Sequence, residues 1–392
     1  MKELKKIYIT KSDGSEYYID LESKDGTQDE RIQANTDLIN ANTEADNANK
    51  DEILSRLQEL ETAVNNRFAE LQESSLKRED LDDLENTVND RLQGIENSVD
   101  ALTQASILTD SLATEVQALA KVVDSKKADV AVTTMSTGDS TLNSQDDVVV
   151  TSDSTITSPL NVTALNVEIN DLAIENNVSN VVANGIVNLN GFVSTGTQNK
   201  QTQGNANVKI NNSDLVRIVN SKFLNVGYNS LEIGLSATSK PKNVVIDHCE
   251  FGDTSNNSIL IFNTDDNAVI TVKDCKFGAV SNAIRLSNRD NVHVTLNVID
   301  CDFTDVDTDP AWRSVIICQD YTAKTVDDAV TANRFSPDKI KINFVNCTLR
   351  GQKLTEVVTG VGEGKENSLL YVWNSANEYV DDEGSIPKIT IA

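Results

Sequence analysis

From residue 28 to about residue 127 the apolar positions return in alternating steps of three and four. One series runs Ile53, Leu57, Leu60, Val64, Phe68, Leu71, a second Leu81, Leu84, Val88, Leu92, Ile95, Val99, Leu102, and a third Leu112, Val116, Leu119, Val123. Two apolar positions in seven make the narrow seam of a coiled coil, not the broad face of a helix on a globular core. Nothing breaks the stretch: its only glycine is Gly94 and the first proline of the chain is Pro159. The spacing predicts one long helix over 28–127, a rod of roughly 150 Å at about 1.5 Å per residue. The four-four-three steps of Leu84, Val88, Leu92 and Ile95 are stutters that unwind a supercoil locally. Ser74 and Arg78 interrupt the seam between Leu71 and Leu81, which predicts a weak joint there.

Beyond residue 127 the helical period stops. Short β-branched runs alternate with Asn, Asp and Gly turns, an all-β pattern, and a repeat lies within it. Ile218-Val219-Asn220-Ser221-Lys222-Phe223 aligns with Ile246-Asp247-His248-Cys249-Glu250-Phe251, then with Val272-Lys273-Asp274-Cys275-Lys276-Phe277, Val298-Ile299-Asp300-Cys301-Asp302-Phe303 and Phe344-Val345-Asn346-Cys347-Thr348-Leu349. The Ser/Cys position advances by 28, 26, 26 and then 46 residues, the last step leaving room for an insertion over Asp305–Pro337. Steps of this size fit one turn of a parallel β-helix, in which equivalent residues stack at about 4.8 Å. Cys249, Cys275, Cys301 and Cys347 then form one ladder and Phe223, Phe251, Phe277 and Phe303 another, with right-handed crossovers by the usual rule. Cysteine serves here as a small buried apolar residue; disulfides between rungs are the second choice. Zinc is disfavoured by the wide cysteine spacing and by a complement of two histidines, His248 and His293.

The ends complete the expected domain plan. Ile7-Tyr8-Ile9-Thr10 and Tyr17-Tyr18-Ile19-Asp20-Leu21 flank Ser12-Asp13-Gly14-Ser15, which predicts a hairpin in residues 1–27. A hairpin alone is too small to be stable, so this segment reads as an anchor or docking module. Residues 28–127 are the stalk, 128–352 the β-helix, and 353–392 a C-terminal cap anchored by Leu369-Leu370-Tyr371-Val372-Trp373. The fold class expected is therefore mixed and fibrous: a long parallel α coiled coil followed by a right-handed parallel β-helix.

The head of the stalk carries polar residues in its seam. Ile32, Asn35, Ile39, Asn42, Asp46, Asn49 and Ile53 keep the three-four spacing without a break. Buried asparagine costs stability and fixes register and copy number. The segments Ile32-Gln33-Ala34-Asn35-Thr36-Asp37-Leu38-Ile39 and Ile39-Asn40-Ala41-Asn42-Thr43 resemble the Ile-x-x-Asn-Thr-x-x-Ile pattern of trimeric coiled coils in bacterial adhesins and bacteriophage fibres. That resemblance implies a homotrimer with Ile32, Ile39, Ile53 and Leu60 in its seam. It also implies an anion, often chloride, held by Asn35 and Asn42 with Thr36 and Thr43 in support. Asp46 departs from the pattern and would repel its own copies. The competing readings are a dimer, or an ordinary helix with asparagines scattered by chance. The repeat segment, over 140–350, resembles pectate-lyase-like β-helices, phage tailspikes among them. Within it, Asn243-Val244-Val245-Ile246-Asp247-His248-Cys249 is similar to the Ile-Asp-His segment of pectate lyases. The further calcium-binding carboxylates and the Arg-x-Pro-x-x-Arg segment of those enzymes have no counterpart.

Composition narrows the function. Aromatics make up 5% of residues, which suits a narrow core better than one large globule, and the formal net charge is -27. Such a surface repels phosphate backbones and anionic lipids, so nucleic acid and membranes are excluded as partners. No apolar run is long enough for a membrane helix, and the charged start Met1–Lys6 lacks a signal core, which places synthesis in the cytoplasm. Asp305-Val306-Asp307-Thr308-Asp309 begins like a calcium loop but has Pro310 at its sixth position and Ile316 at its twelfth, against calcium. Asp247 with Asp274, and Asp300 with Asp302, are the carboxylate pairs a polysaccharide-cleaving enzyme would need; solvated charge is their bland reading. Trp312 and Tyr321 are placed to stack on a sugar or to pack over the β-helix. The function expected is a homotrimeric virion fibre, a head fibre ahead of a tail fibre, docked on a capsid or tail protein through residues 1–27 and presenting a surface to host glycans. No catalytic residue or metal site is assigned. The alternative is a tailspike depolymerase; a bacterial adhesin is disfavoured by the missing signal and anchor.

Overall fold

The alternation Ile7, Ile9 against Tyr17, Ile19 closes into an antiparallel pair, Lys6–Thr10 with Glu16–Asp20, in the register Ile7↔Ile19 and Ile9↔Tyr17. The computed structural model describes residues 6–10, 16–20, 50–52, 54–66, 78–125, 131–135, 141–152, 154–175, 177–196, 206–211, 213–225, 228–235, 240–303, 306, 314–357 and 369–392. It divides into two compact units, 1–58 and 59–392. Ile32, Asn35, Ile39, Asn42 and Ile53 lie outside the described residues, as do Asp305, Asp307, Asp309 and Trp312.

Helix occupies 50–52 and 54–66 and, after a gap, Arg78–Ser125. The single straight rod expected over 28–127 is not what these segments form. Leu60 and Val64 line one groove with Val88 and Leu92, so residues 59–66 lie against the long helix. An apolar stripe must be covered by something, and here part of one stripe covers part of another.

In the second unit, three parallel sheets are stacked from successive turns of the chain. The described strands form sheets of ten, nine and five strands, each built in sequence order. In the ten-stranded sheet Asn243–Asp247 pairs in parallel with Leu215–Val219 on one side and Ala268–Lys273 on the other. Alternation sets the faces: Val244 and Ile246 point into the core, with Ile218, Val272 and Val298 in the same row. The stack also continues through the segment expected to be a cap. Leu370–Trp373 pairs in parallel with Ser314–Gln319, and Lys388–Ile391 with Ile340–Val345, so 353–392 supplies further rungs. Within the expected insertion, the short helix Val326–Ala332 starts in a capping box, Thr325 with Asp328.

The later half of the long helix belongs to this unit. Ile107 packs on Ile299 and Val345, and Ala118 on Leu215 and Val245, all on the outer face of the ten-stranded sheet. The helix therefore runs against the direction in which rungs are added. Its buried stripe is Ile107, Ser111, Thr114 and Ala118. Small side chains let the helix lie close on the sheet. Of the seam expected through Leu112 and Val116, Leu112 is 50% exposed and Val116 is half-buried.

Candidate functional site

Among the described residues, seven turns leave the ten-stranded sheet through one residue in the left-handed region: Asp171, Gly191, Asn220, His248, Asp274, Asp300 and Asn346 all have φ between 47° and 66°. Asn, Asp, His and Gly tolerate that conformation best. The next residue closes the turn from inside. Ser221 Oγ donates to the carbonyl of Val219 at 2.7 Å, and the thiols of Cys249, Cys275, Cys301 and Cys347 donate to the carbonyls of Asp247, Lys273, Ile299 and Val345 at 3.1–3.3 Å. The Ser/Cys position is thus a small, buried hydrogen-bond donor, which explains why the two residues interchange. Burial pushes the thiols of Cys249, Cys275 and Cys301 well up, keeping them protonated. All five cysteines are free and buried. Two residues further on, Phe223, Phe251, Phe277 and Phe303 stack with centroids 5.1, 5.1 and 4.9 Å apart. A second ladder carries no such sequence mark: Asn257 Nδ2 donates to Asn229 Oδ1 at 2.8 Å, and Asn282 Nδ2 to Asn257 Oδ1 at 3.3 Å.

Where the helix crosses the sheet, charges gather. Asp247 and Lys273 are neighbours in register on the outer face. His248 Nδ1 lies 2.7 Å from Asp247 Oδ1 and its Nε2 3.8 Å from Asp274 Oδ2. Lys273 Nζ lies 3.9 Å from Asp274 and 3.8 Å from Glu115 of the helix. Arg217 donates to Asn188 Oδ1 at 3.0 Å, and burial pulls its guanidinium below its usual range. The structure thus brings Asp247 and Asp274 together around His248. Asp302 instead accepts from Thr348 Oγ1 at 3.1 Å, one rung along, while Asp300 is a turn residue. One ligand atom each from Asp247, His248 and Asp274 fall within 4.8 Å of one another. Lys273 already occupies that neighbourhood as a cation, so a metal ion there meets a charged competitor. Through Glu115 and Lys273 the cluster bridges helix and sheet as a latch.

Glu115 is the group that reports on this latch. Burial raises its pKa above the ordinary 4.5, outweighing the pull of Lys273. A carboxyl whose folded pKa is raised binds its proton more tightly folded than unfolded. Stability is therefore highest below the unfolded value and falls as pH rises through the folded one. Glu115→Gln is expected to raise the melting temperature at pH 7 and to leave it unchanged below about pH 4. A thermal-melt series across pH 3.5–8 checks this; a loss of stability at pH 7 would show that the pairing with Lys273 dominates.

Comparison of the chain with protein-family models, with curated proteins and with solved structures gave no match.

Proposed function

We propose that this chain is the protomer of a homotrimeric fibre projecting from a virion, with an adhesive role toward host surfaces or glycans. The observation that carries the reading is on the long helix. Its own β-helix covers Ile107, Ser111, Thr114 and Ala118, yet Leu92, Leu108 and Leu112 stay 38%, 41% and 50% exposed. Leucines left bare along a helix mark a surface that a further helix completes. Two identical neighbours would supply it; Ile32, Ile39 and Ile53 would form a seam of their own, with Asn35 and Asn42 holding a chloride-like anion at its head, whereas Leu60, expected in that seam, lines a groove with Val88 and Leu92 of its own chain. The stacked sheets support the reading in a second way: each rung consumes the strand edges of its neighbour. Residues 1–27 would dock on a capsid protein, a head fibre being favoured over a tail fibre. Three copies would multiply a weak surface affinity.

Light scattering on the full chain tests the copy number. A mass of about 128 kDa, three times 42.7 kDa, is expected, and Leu108→Asp with Leu112→Asp should lower it toward the single-chain value. A wild-type mass of one or two chains would sink the fibre. The depolymerase reading has one observation in its favour, a carboxyl raised by burial, Glu115, facing Asp247. Reducing-sugar release that Glu115→Gln abolishes would favour it.

A further inference from the structure

Among the described residues, none from the helix Arg78–Ser125 enters the main apolar core, which the stacked sheets build by themselves. The helix meets the sheet through two small apolar contacts, Ile107 on Ile299 and Val345, and Ala118 on Leu215 and Val245. About three helical turns separate them. Between them the interface is polar. The helix offers Ser111 and Thr114, both buried. The sheet offers Thr271 and Asn297, which follow Val245 along one outward row of the parallel register. The helix passes from Ile299 to Val245 and so across this row, leaving Thr271 0% and Asn297 1% exposed.

Ser111 Oγ, Thr271 Oγ1 and Asn297 Nδ2 have no hydrogen-bond partner among the described residues. Water satisfies each of them once the helix lifts, so their burial opposes docking. Charge opposes it too. Glu115 of the helix faces Asp247 and Asp274 as well as Lys273 and Arg217, three carboxylates to two cations. A segment with few large apolar contacts and several unpaired polar atoms opens before the fold as a whole does. The sheets beneath do not need the helix. Leu215–Val219, Asn243–Asp247, Ala268–Lys273 and Val294–Ile299 are each paired in parallel on both sides.

We infer that this helix is a releasable strap, which over residues 107–118 lifts from the ten-stranded sheet while the stacked sheets stay folded. Release bares Leu215, Val245, Ile299 and Val345 beside Arg217 and Lys273, and it frees the covered face of the helix. A partner that binds the freed face therefore draws the strap off. The inference goes beyond the fibre reading and holds for one chain or three.

Ser111→Cys in the full chain tests the strap. Ser111 is 2% exposed, and a thiol differs little from a hydroxyl in size, so N-ethylmaleimide reaches position 111 only when the helix lifts. The five native cysteines are free and buried, and they react only when the sheets open. At about pH 8, where an exposed thiol is partly ionised, peptide mass spectrometry follows both classes in one sample. Position 111 is expected to be alkylated at least about tenfold faster than any native cysteine, with the far-ultraviolet circular dichroism of wild type. Thr271→Val, which removes an unpaired hydroxyl from the interface, should slow labelling at 111 by at least about fivefold. Ala118→Asp should speed it, and neither change should alter the rate at the native cysteines. Ala118→Cys is a second reporter, at the other end of the interface, if Ser111→Cys fails to fold. Labelling at 111 no faster than at the native cysteines would show helix and sheets opening as one and overturn the strap. So would a rate at 111 that neither Thr271→Val nor Ala118→Asp moves. Labelling is read separately from mass, so a single chain with a fast position 111 keeps the strap and loses the fibre. A trimer with a slow one does the reverse.

Discussion

Phe277→Ala lowers the stability of the β-helix by about 3–5 kcal/mol, the range for emptying a large aromatic from a core. Phe277 is fully buried and is stacked on both faces, against Phe251 at 5.1 Å and Phe303 at 4.9 Å. Each neighbour is tied to its own rung by parallel pairing, Phe251↔Phe277 in register and the strands of the ten-stranded sheet alongside. Neither ring can slide into the void, so the cavity persists and both stacking contacts are lost. Phe277→Leu, which fills most of the space, should cost less than half as much. Denaturant unfolding followed by far-ultraviolet circular dichroism gives the midpoints. A stacked-repeat domain can lose one region before another, so amide exchange over rungs 243–303 shows whether the loss is local. A shift below about 1 kcal/mol for the alanine variant would mean that the stack relaxes.

Gly234→Ala has the second large effect and separates two causes of glycine's use. Gly234 has φ +73°, and a Cβ there would stand 2.3 Å from the backbone oxygen of Asn263. Asn263 cannot retreat easily, since its Nδ2 donates to the carbonyl of Gly234 at 3.0 Å and it lies two residues beyond the strand Thr254–Ile261. Left-handed backbone costs a non-glycine residue about 1–2 kcal/mol, and displacing a neighbouring rung adds to it, for a total above about 3 kcal/mol. Gly351→Ala is the control. Its φ is +74°, but nothing lies within 4 Å of the added carbon, so only the backbone cost remains. Equal losses in the two variants would show that rungs approach less closely at Gly234 than the contact distance says.

Much of the β-helix could be read from spacing, because its ladders put the same chemistry at the same place once per turn. Cys249, Cys275 and Cys301 advance by the number of residues in one turn, and the phenylalanines two positions later do the same. The earlier rungs were not legible. There Ile169 pairs with Leu189 and Val150 with Ile169, steps of 20 and 19 residues, and no cysteine marks them. The final rungs were missed for a related reason, since Leu370 pairs with Ile316, 54 residues before it, and Ile389 with Ile342, 47 residues before it, steps that hide the period. The likeness of Ile246-Asp247-His248 to a pectate-lyase segment is accounted for locally: His248 sits at the left-handed turn position that Asn220, Asp274, Asp300 and Asn346 fill in other rungs.

By itself, then, the sequence determined what is periodic: helix before the stacked strands, the turns of 26 to 28 residues, and the identity of the Cys and Phe ladders. Periodicity is a local property, and the hydrogen bonds and side-chain alternation that produce it act between residues a fixed number apart. Only the tertiary structure decided which of the two helix stripes the chain covers for itself. Ile107 won over Leu112 by packing on Ile299 and Val345, and Ser111, Thr114 and Ala118 are small enough for the helix to lie close on the sheet. It alone brought Arg285 and Arg289 to Tyr321 and Trp373, which no spacing relates, and set Glu115 over Lys273. Those meetings depend on where separate turns of the chain come to rest, and burial then fixes the energy of every charge within them.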